Sequence, residues 1–173
     1  MKSYKTVISA MFLAIALVLP FLTGQIPNIG SALCPMHIPV LLCGFFCGPL
    51  YGALVGLVAP ILRFLIFSMP PIMPTGIGMS FELATYGLVS GALYKAFAGS
   101  KVGIYVSLIA AMLSGRVVWG VVRVILLGLG KSKFGWNAFL SGAFINAIPG
   151  IIVQIVLIPI LVMAIKRGTA YEQ

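Results

Sequence analysis

The chain has 173 residues, 61% of them hydrophobic and only 8% charged, with a formal net charge of +9 and a mean hydropathy of +1.18. Charged residues make up about 25% of an ordinary soluble domain, so this composition excludes a water-soluble fold and points to one all-α integral membrane domain spanning 1–173. The positive balance is not a nucleic-acid signature, because the basic residues end apolar segments or stand singly inside them and form no stripe with stacking aromatics.

A helix needs about 20 apolar residues to cross a bilayer. The first predicted span runs from about 5 to 23 and is broken by Pro20 and Gly24. Met1, Lys2 and Lys5 before an apolar stretch resemble a signal peptide. No small-x-small cleavage site directly follows Leu19, so the stretch reads as a retained transmembrane helix. A polar segment with prolines and glycines follows, over 25–36. The second apolar run starts near His37 and stops at Gly48-Pro49, which is short for a full span and implies tilt or local thinning. The third covers about 50–67, with Pro60 as a predicted kink. Three prolines and two glycines make 68–78 an ordered loop. The fourth span is predicted over 79–97, the fifth over 102–129, and the sixth over 138–165, stopped by Lys166 and Arg167.

Six helices put both termini on one side. Lys2, Lys5, Lys95, Lys101, Lys166 and Arg167 fall on that side, and Lys131 and Lys133 on the other. The positive-inside rule then places both termini in the cytoplasm. The longer loops, after helices one, three and five, face outward as a lid. Small residues recur every four positions at Gly44, Gly48, Gly52 and Gly56, at Gly87 and Gly91, and at Ser107, Ala111 and Gly115, which predicts close helix packing. Ala10 and Ala14 make a smooth strip on the first helix, either internal packing or a docking face for another membrane subunit.

Ionisable residues inside apolar runs are the candidates for function, since a charge at bilayer depth costs several kcal/mol and faces an interior or a watery cavity. Glu82 is one of only two acidic residues, and Arg63, Arg116 and Arg123 are also embedded. Three arginines against one glutamate leave a positive interior suited to an anion. Glu82 either neutralises an arginine or lines a solute site with Tyr86, one turn away. Arg116 and Arg123 are seven residues apart, so they share a face about 10 Å apart, with Trp119 between them. Such a face can hold a carboxylate through the guanidinium fork and an apolar body against the indole. The competing assignment pairs Arg116 with Glu82 and lets Arg123 reach the interface. Arg63 is a pocket wall or an interfacial anchor. Asn146 and Gln154 share a face of the sixth helix, and His37 stands at the mouth of the second between Pro35 and Pro39. Cys34, Cys43 and Cys47 read as small packing residues, with no metal site. No nucleotide-binding or hydrolytic motif is present, so an uphill transporter would draw its energy from a partner or an ion.

The run Ile38-Pro39-Val40-Leu41-Leu42-Cys43-Gly44-Phe45-Phe46-Cys47-Gly48-Pro49-Leu50-Tyr51-Gly52, taken with chain size, six predicted helices and the Ala10/Ala14 strip, resembles the substrate-binding S components of energy-coupling factor (ECF) transporters of the riboflavin, folate and pantothenate types. Glu82 is similar to the Glu of a Gly-Glu-Leu-Ala stretch in riboflavin-type members, though Ser80 and Phe81 precede it here. The resemblance implies a six-helix subunit of a prokaryotic plasma membrane that binds a vitamin from outside, beneath the outer loops. It implies docking of the alanine strip on a membrane T subunit coupled to two cytoplasmic ATPases. The subunit itself would carry no cofactor and perform no catalysis. His37, Arg63, Glu82, Tyr86, Arg116, Trp119, Arg123 and Asn146 are the expected solute contacts. The arginine excess favours a carboxylate-bearing vitamin, pantothenate before folate, while Trp119, Tyr86 and Trp136 could stack a flat ring such as riboflavin. Two other classes fit the composition: a stand-alone proton-coupled carrier with Glu82 as the protonation site, and an assembly subunit that binds no solute.

Overall fold

The computed structural model describes residues 2–24, 34–97, 100–129 and 148–170. Six α-helices occur among them: α1 (Lys2–Gly24), α2 (His37–Cys47), α3 (Pro49–Phe67), α4 (Ile77–Ala96), α5 (Lys101–Leu129) and α6 (Ile148–Ala170). No strand is present among the described residues. The predicted start of the sixth helix at 138, with Trp136, Lys131 and Lys133, lies outside the described residues, as does the segment 25–33.

Among the described residues four helices are long and apolar enough to cross a membrane: Ser3–Leu22, Pro49–Phe67, Lys101–Leu127 and Ile148–Lys166. The expectation of six such spans is therefore met in helix number but not in helix type. α2 has 11 residues, about 16 Å of helix, roughly half the hydrocarbon thickness. Nine of those residues are buried, so α2 is a core element wrapped by its neighbours. α4 has the length of a span, with 20 residues, but not its apolarity. It is the hub of the bundle, packed on α2, α3 and α5. A helix enclosed by protein can carry Ser80, Glu82, Tyr86 and Ser90 in its buried face, where a lipid-facing helix could not. α1 lies against α2 and α3, and α6 against α2 and α5. The outward surface is apolar, with Val7, Met11, Leu65, Val117, Val121 and Ile152 all exposed. Such a surface suits hydrocarbon as its solvent.

The punctuation at Gly48-Pro49 separates α2 from α3. Gly48 has φ 99°, in the left-handed region where a side chain is strained, and Pro49 opens α3 at its first position. The N–H of Gly48 donates to the carbonyl of Gly44 at 3.1 Å, and Gly52 N–H donates back to Gly48 at 3.0 Å. The chain thus turns a corner without an unsatisfied ladder.

The predicted glycine stripes face each other. A Cβ at Gly87 would lie 2.2 Å from the backbone of Gly52, and one at Gly56 would lie 2.3 Å from the carbonyl oxygen of Leu83. At Gly44 and Gly91 the same contacts extend to Ser90 and to Pro49. The backbones of α3 and α4 touch directly, which only glycine permits. Gly115 of α5 does a different job: a Cβ there would enter the ring of Tyr86 at 2.0 Å.

The segment expected to be a loop over 68–78 is more ordered. Ser68 ends α3 in the left-handed conformation, and its N–H donates to the Phe64 carbonyl at 2.7 Å. A π turn over Ile72–Gly76, closed by π-type hydrogen bonding but extended at Met73 (φ −117°, ψ 136°), then leads straight into α4, two residues earlier than the expected start at 79. The Ser80 hydroxyl donates to the carbonyl of Gly76 at 2.9 Å and ties this turn to the helix.

Candidate functional site

α4 and α5 run antiparallel. Tyr86 faces Gly115, and Gly78 faces Trp119 and Arg123. That register sets which arginine meets Glu82. Glu82 Oε1 lies 3.1 Å from Arg116 Nη1 and 3.5 Å from His37 Nε2. All three side chains are buried, Glu82 being only 2% exposed. A carboxylate so enclosed is stable only with its cation in place. The structure thus assigns Arg116 as the arginine that pairs with Glu82.

The cluster grows outward from this pair. The His37 ring meets that of Tyr86 edge-on, with centroids 5.1 Å apart. Arg116 Nη2 lies 3.9 Å from the sulfur of Cys34. Cys34 reaches this point because it precedes α2 by one turn, its carbonyl accepting from His37 N–H at 3.0 Å. Outside the Glu82–Arg116–His37 contacts, His37 Nδ1 and Arg116 Nε are buried with no hydrogen-bond partner among the described residues, and the Tyr86 hydroxyl lies by the Glu82 carboxylate. Buried polar atoms are rarely left so, and together they offer an acceptor or donor set for a polar solute.

A second station lies one to two turns further along α5. The Arg123 guanidinium stacks over Trp119, 5.0 Å from the ring centroid, and its Nη2 lies 3.5 Å from the hydroxyl of Thr75 on the π turn. Gly78 leaves room for this stack, since even an added Cβ would only reach ordinary contact, 3.5 Å from Arg123 Cγ and Trp119 Cδ1.

The structure therefore gathers His37, Glu82, Tyr86 and Arg116 into one cluster and sets Trp119 and Arg123 beside it. Arg63 is occupied elsewhere: its Nη1 donates to the carbonyl of Leu17 at 2.6 Å, and its guanidinium lies over Phe21 and Phe67. It fastens α3 to α1. Asn146 lies outside the described residues. Gln154, expected to share its face, is buried with neither amide atom bonded among the described residues. Ala10 and Ala14 lie on the exposed side of α1. Cys43 and Cys47 are buried in α2. Cys34 and Thr75 were not among the expected contacts. For Cys34 the signal was its place one turn before His37. Thr75 carried none, being a lone hydroxyl in a proline-rich stretch. Among the described residues no group of three His, Cys, Asp or Glu side chains is disposed to hold a metal ion.

A family model described as "ECF transporter, substrate-specific component" matches residues 5–162. No curated protein and no solved structure matches the chain.

Proposed function

Because the chain belongs to the family of ECF transporter substrate-specific components, we propose that it captures a carboxylate-bearing vitamin or vitamin precursor, pantothenate first, folate second, with riboflavin as the flat-ring alternative. The family makes it a membrane-embedded transport subunit that binds a small molecule and works with a membrane T subunit and ATPase subunits.

The observation that carries the substrate proposal is the division of labour between the two arginines. Arg116 is neutralised by Glu82 at 3.1 Å. Arg123 is presented on the face of Trp119, with its Nη2 3.5 Å from the Thr75 hydroxyl. The carboxylate of the solute is assigned to Arg123, Thr75 and Trp119. Its hydroxyl and amide groups are assigned to His37 Nδ1, Arg116 Nε and the Tyr86 hydroxyl, about 10 Å away along α5. An elongated molecule with an acid at one end and hydroxyls at the other matches that pattern, which is why pantothenate leads.

The remaining roles follow from the same reading. The lysine-bearing end faces the cytoplasm of a prokaryotic cell, and the π turn with Thr75 faces outward, where solute enters. Ala10 and Ala14 on the exposed side of α1 dock the T subunit, which is coupled to two ATPases.

A thermal-shift screen of the purified chain against B vitamins and their precursors tests the reading, since a tight ligand raises the melting temperature in proportion to the logarithm of its excess over Kd. The expected hit carries a carboxylate, and Arg123→Ala reduces its shift. A response confined to neutral or cationic vitamins would overturn the assignment.

A further inference from the structure

The opposite end of the bundle holds a polar feature that solute capture does not use. α1 starts there, α2 gives way to α3, and α4 ends. Between them lies a groove of about 540 Å³. Lys5, Tyr94 and Lys95 line it, with the corner of the chain at Gly48 and Pro49. Lys166 comes to the same place from α6, its Nζ 4.9 Å over the Tyr94 ring. Lys5 and Lys95 thus border the groove, and Lys166 lies over the Tyr94 ring that lines it.

No acid offsets Lys5 or Lys95 among the described residues. Glu82, the one carboxylate side chain there, is held by Arg116 and His37. The C-terminus of α2 and the N-terminus of α3 meet at the corner, and their opposed dipoles leave the lysines to set the sign of the field. Gly48 has open space where a Cβ would stand, so the corner is not covered. Tyr94 is 8% exposed, packed edge-on against Phe45 at 4.9 Å, and its hydroxyl has no hydrogen-bond partner among the described residues. A buried hydroxyl donor in a groove bordered by lysines is the complement of an anionic oxygen.

The apolar surroundings say which anion. Leu50 lines the groove and is 67% exposed, and Leu54, one turn further along α3, is 51% exposed. A charged head seated at Lys5 and Lys95 would have a hydrocarbon track beside it. Basic pockets of this kind between membrane helices suit lipid headgroups.

We propose that this groove binds the phosphodiester headgroup of an anionic phospholipid, with Lys5, Lys95 and Lys166 around the phosphate, Tyr94 as buried donor, and the acyl chain along Leu50 and Leu54. The site is separate from solute capture and is tested without any vitamin.

The detergent-purified chain is titrated with phosphatidylglycerol, phosphatidylcholine and inorganic phosphate, reading melting temperature and lipid retention by native mass spectrometry. Phosphatidylglycerol is expected to stabilise and to be retained, with phosphatidylcholine and phosphate showing neither effect. Lys5→Gln and Lys95→Gln should each weaken retention about fivefold, near the contribution of one basic residue at an anionic surface. Lys5→Arg/Lys95→Arg should keep retention, which separates loss of charge from loss of fold. Equal retention of both lipids, or undiminished retention in the double glutamine variant, overturns the site. Saturation of the response by inorganic phosphate alone overturns the lipid assignment.

Discussion

Arg116→Met removes the cation from Glu82 while keeping much of the side chain's apolar bulk. At 3.1 Å and an effective dielectric near 20, the attraction lost is about 5 kcal/mol before solvation. Desolvation of both groups offsets much of that in the intact pair. In the variant no offset remains, because Glu82 is left in a site only 2% exposed with its guanidinium partner removed. Breaking a buried pair from one side typically costs about 3–5 kcal/mol, which for a chain of this size lowers the melting temperature by on the order of 10 °C. Glu82→Gln/Arg116→Met removes both charges and should recover most of the loss, giving a coupling of about 2 kcal/mol or more in a double-mutant cycle. The assay is reversible unfolding of the solute-free protein in mixed micelles. Additivity of the two single variants within about 0.5 kcal/mol would refute the pairing.

Arg123→Ala should leave solute-free stability nearly unchanged but weaken an acidic vitamin by about 2 kcal/mol, roughly 30-fold, as expected for a lost charge-assisted contact; calorimetric titration checks this, and an unaltered Kd removes Arg123 from the site. Ala14→Trp should preserve solute binding and abolish uptake in cells, and a parallel loss of both would end the docking role of α1. Gly87→Val should prevent assembly, since its Cβ would lie 2.2 Å from Gly52, whereas Gly48→Ala should cost only about 1 kcal/mol, the strain of a positive φ in open space. Comparing the two by yield of monodisperse protein separates packing from conformation, and equal behaviour would contradict the contact geometry.

Much of this was legible in the residues. Gly48-Pro49 announced the α2–α3 corner because few other pairs end one helix and start another at once. The glycine stripes announced close approach, and a lone glutamate in an apolar run announced the buried polar cluster. The partner of Glu82 was not legible. Arg116 and Arg123 share a face of α5, and only the antiparallel register with α4, fixed by Gly115 against Tyr86, selects between them. Arg63 could not be placed from its own helix, because its role depends on where α1 crosses α3. Cys34 was read as a packing residue because a turn, not a periodic helix, carries it to Arg116. The polarity of α4 and the shortness of α2 were visible, but that both follow from enclosure by other helices required the packing.

The contact between α3 and α4 has a mechanical consequence. Packed helices usually slide past one another by letting side chains hop between rotamers at the seam. Where Gly52 meets Gly87 and Gly56 meets Leu83, backbone lies on backbone and no compliant layer exists to shear. The two helices form a stiff plank that can be translated or tilted but not internally deformed. Any opening that admits or releases cargo must therefore fall to the elements fastened by side chains, α1 through Arg63 and α5 through Glu82 and Arg116.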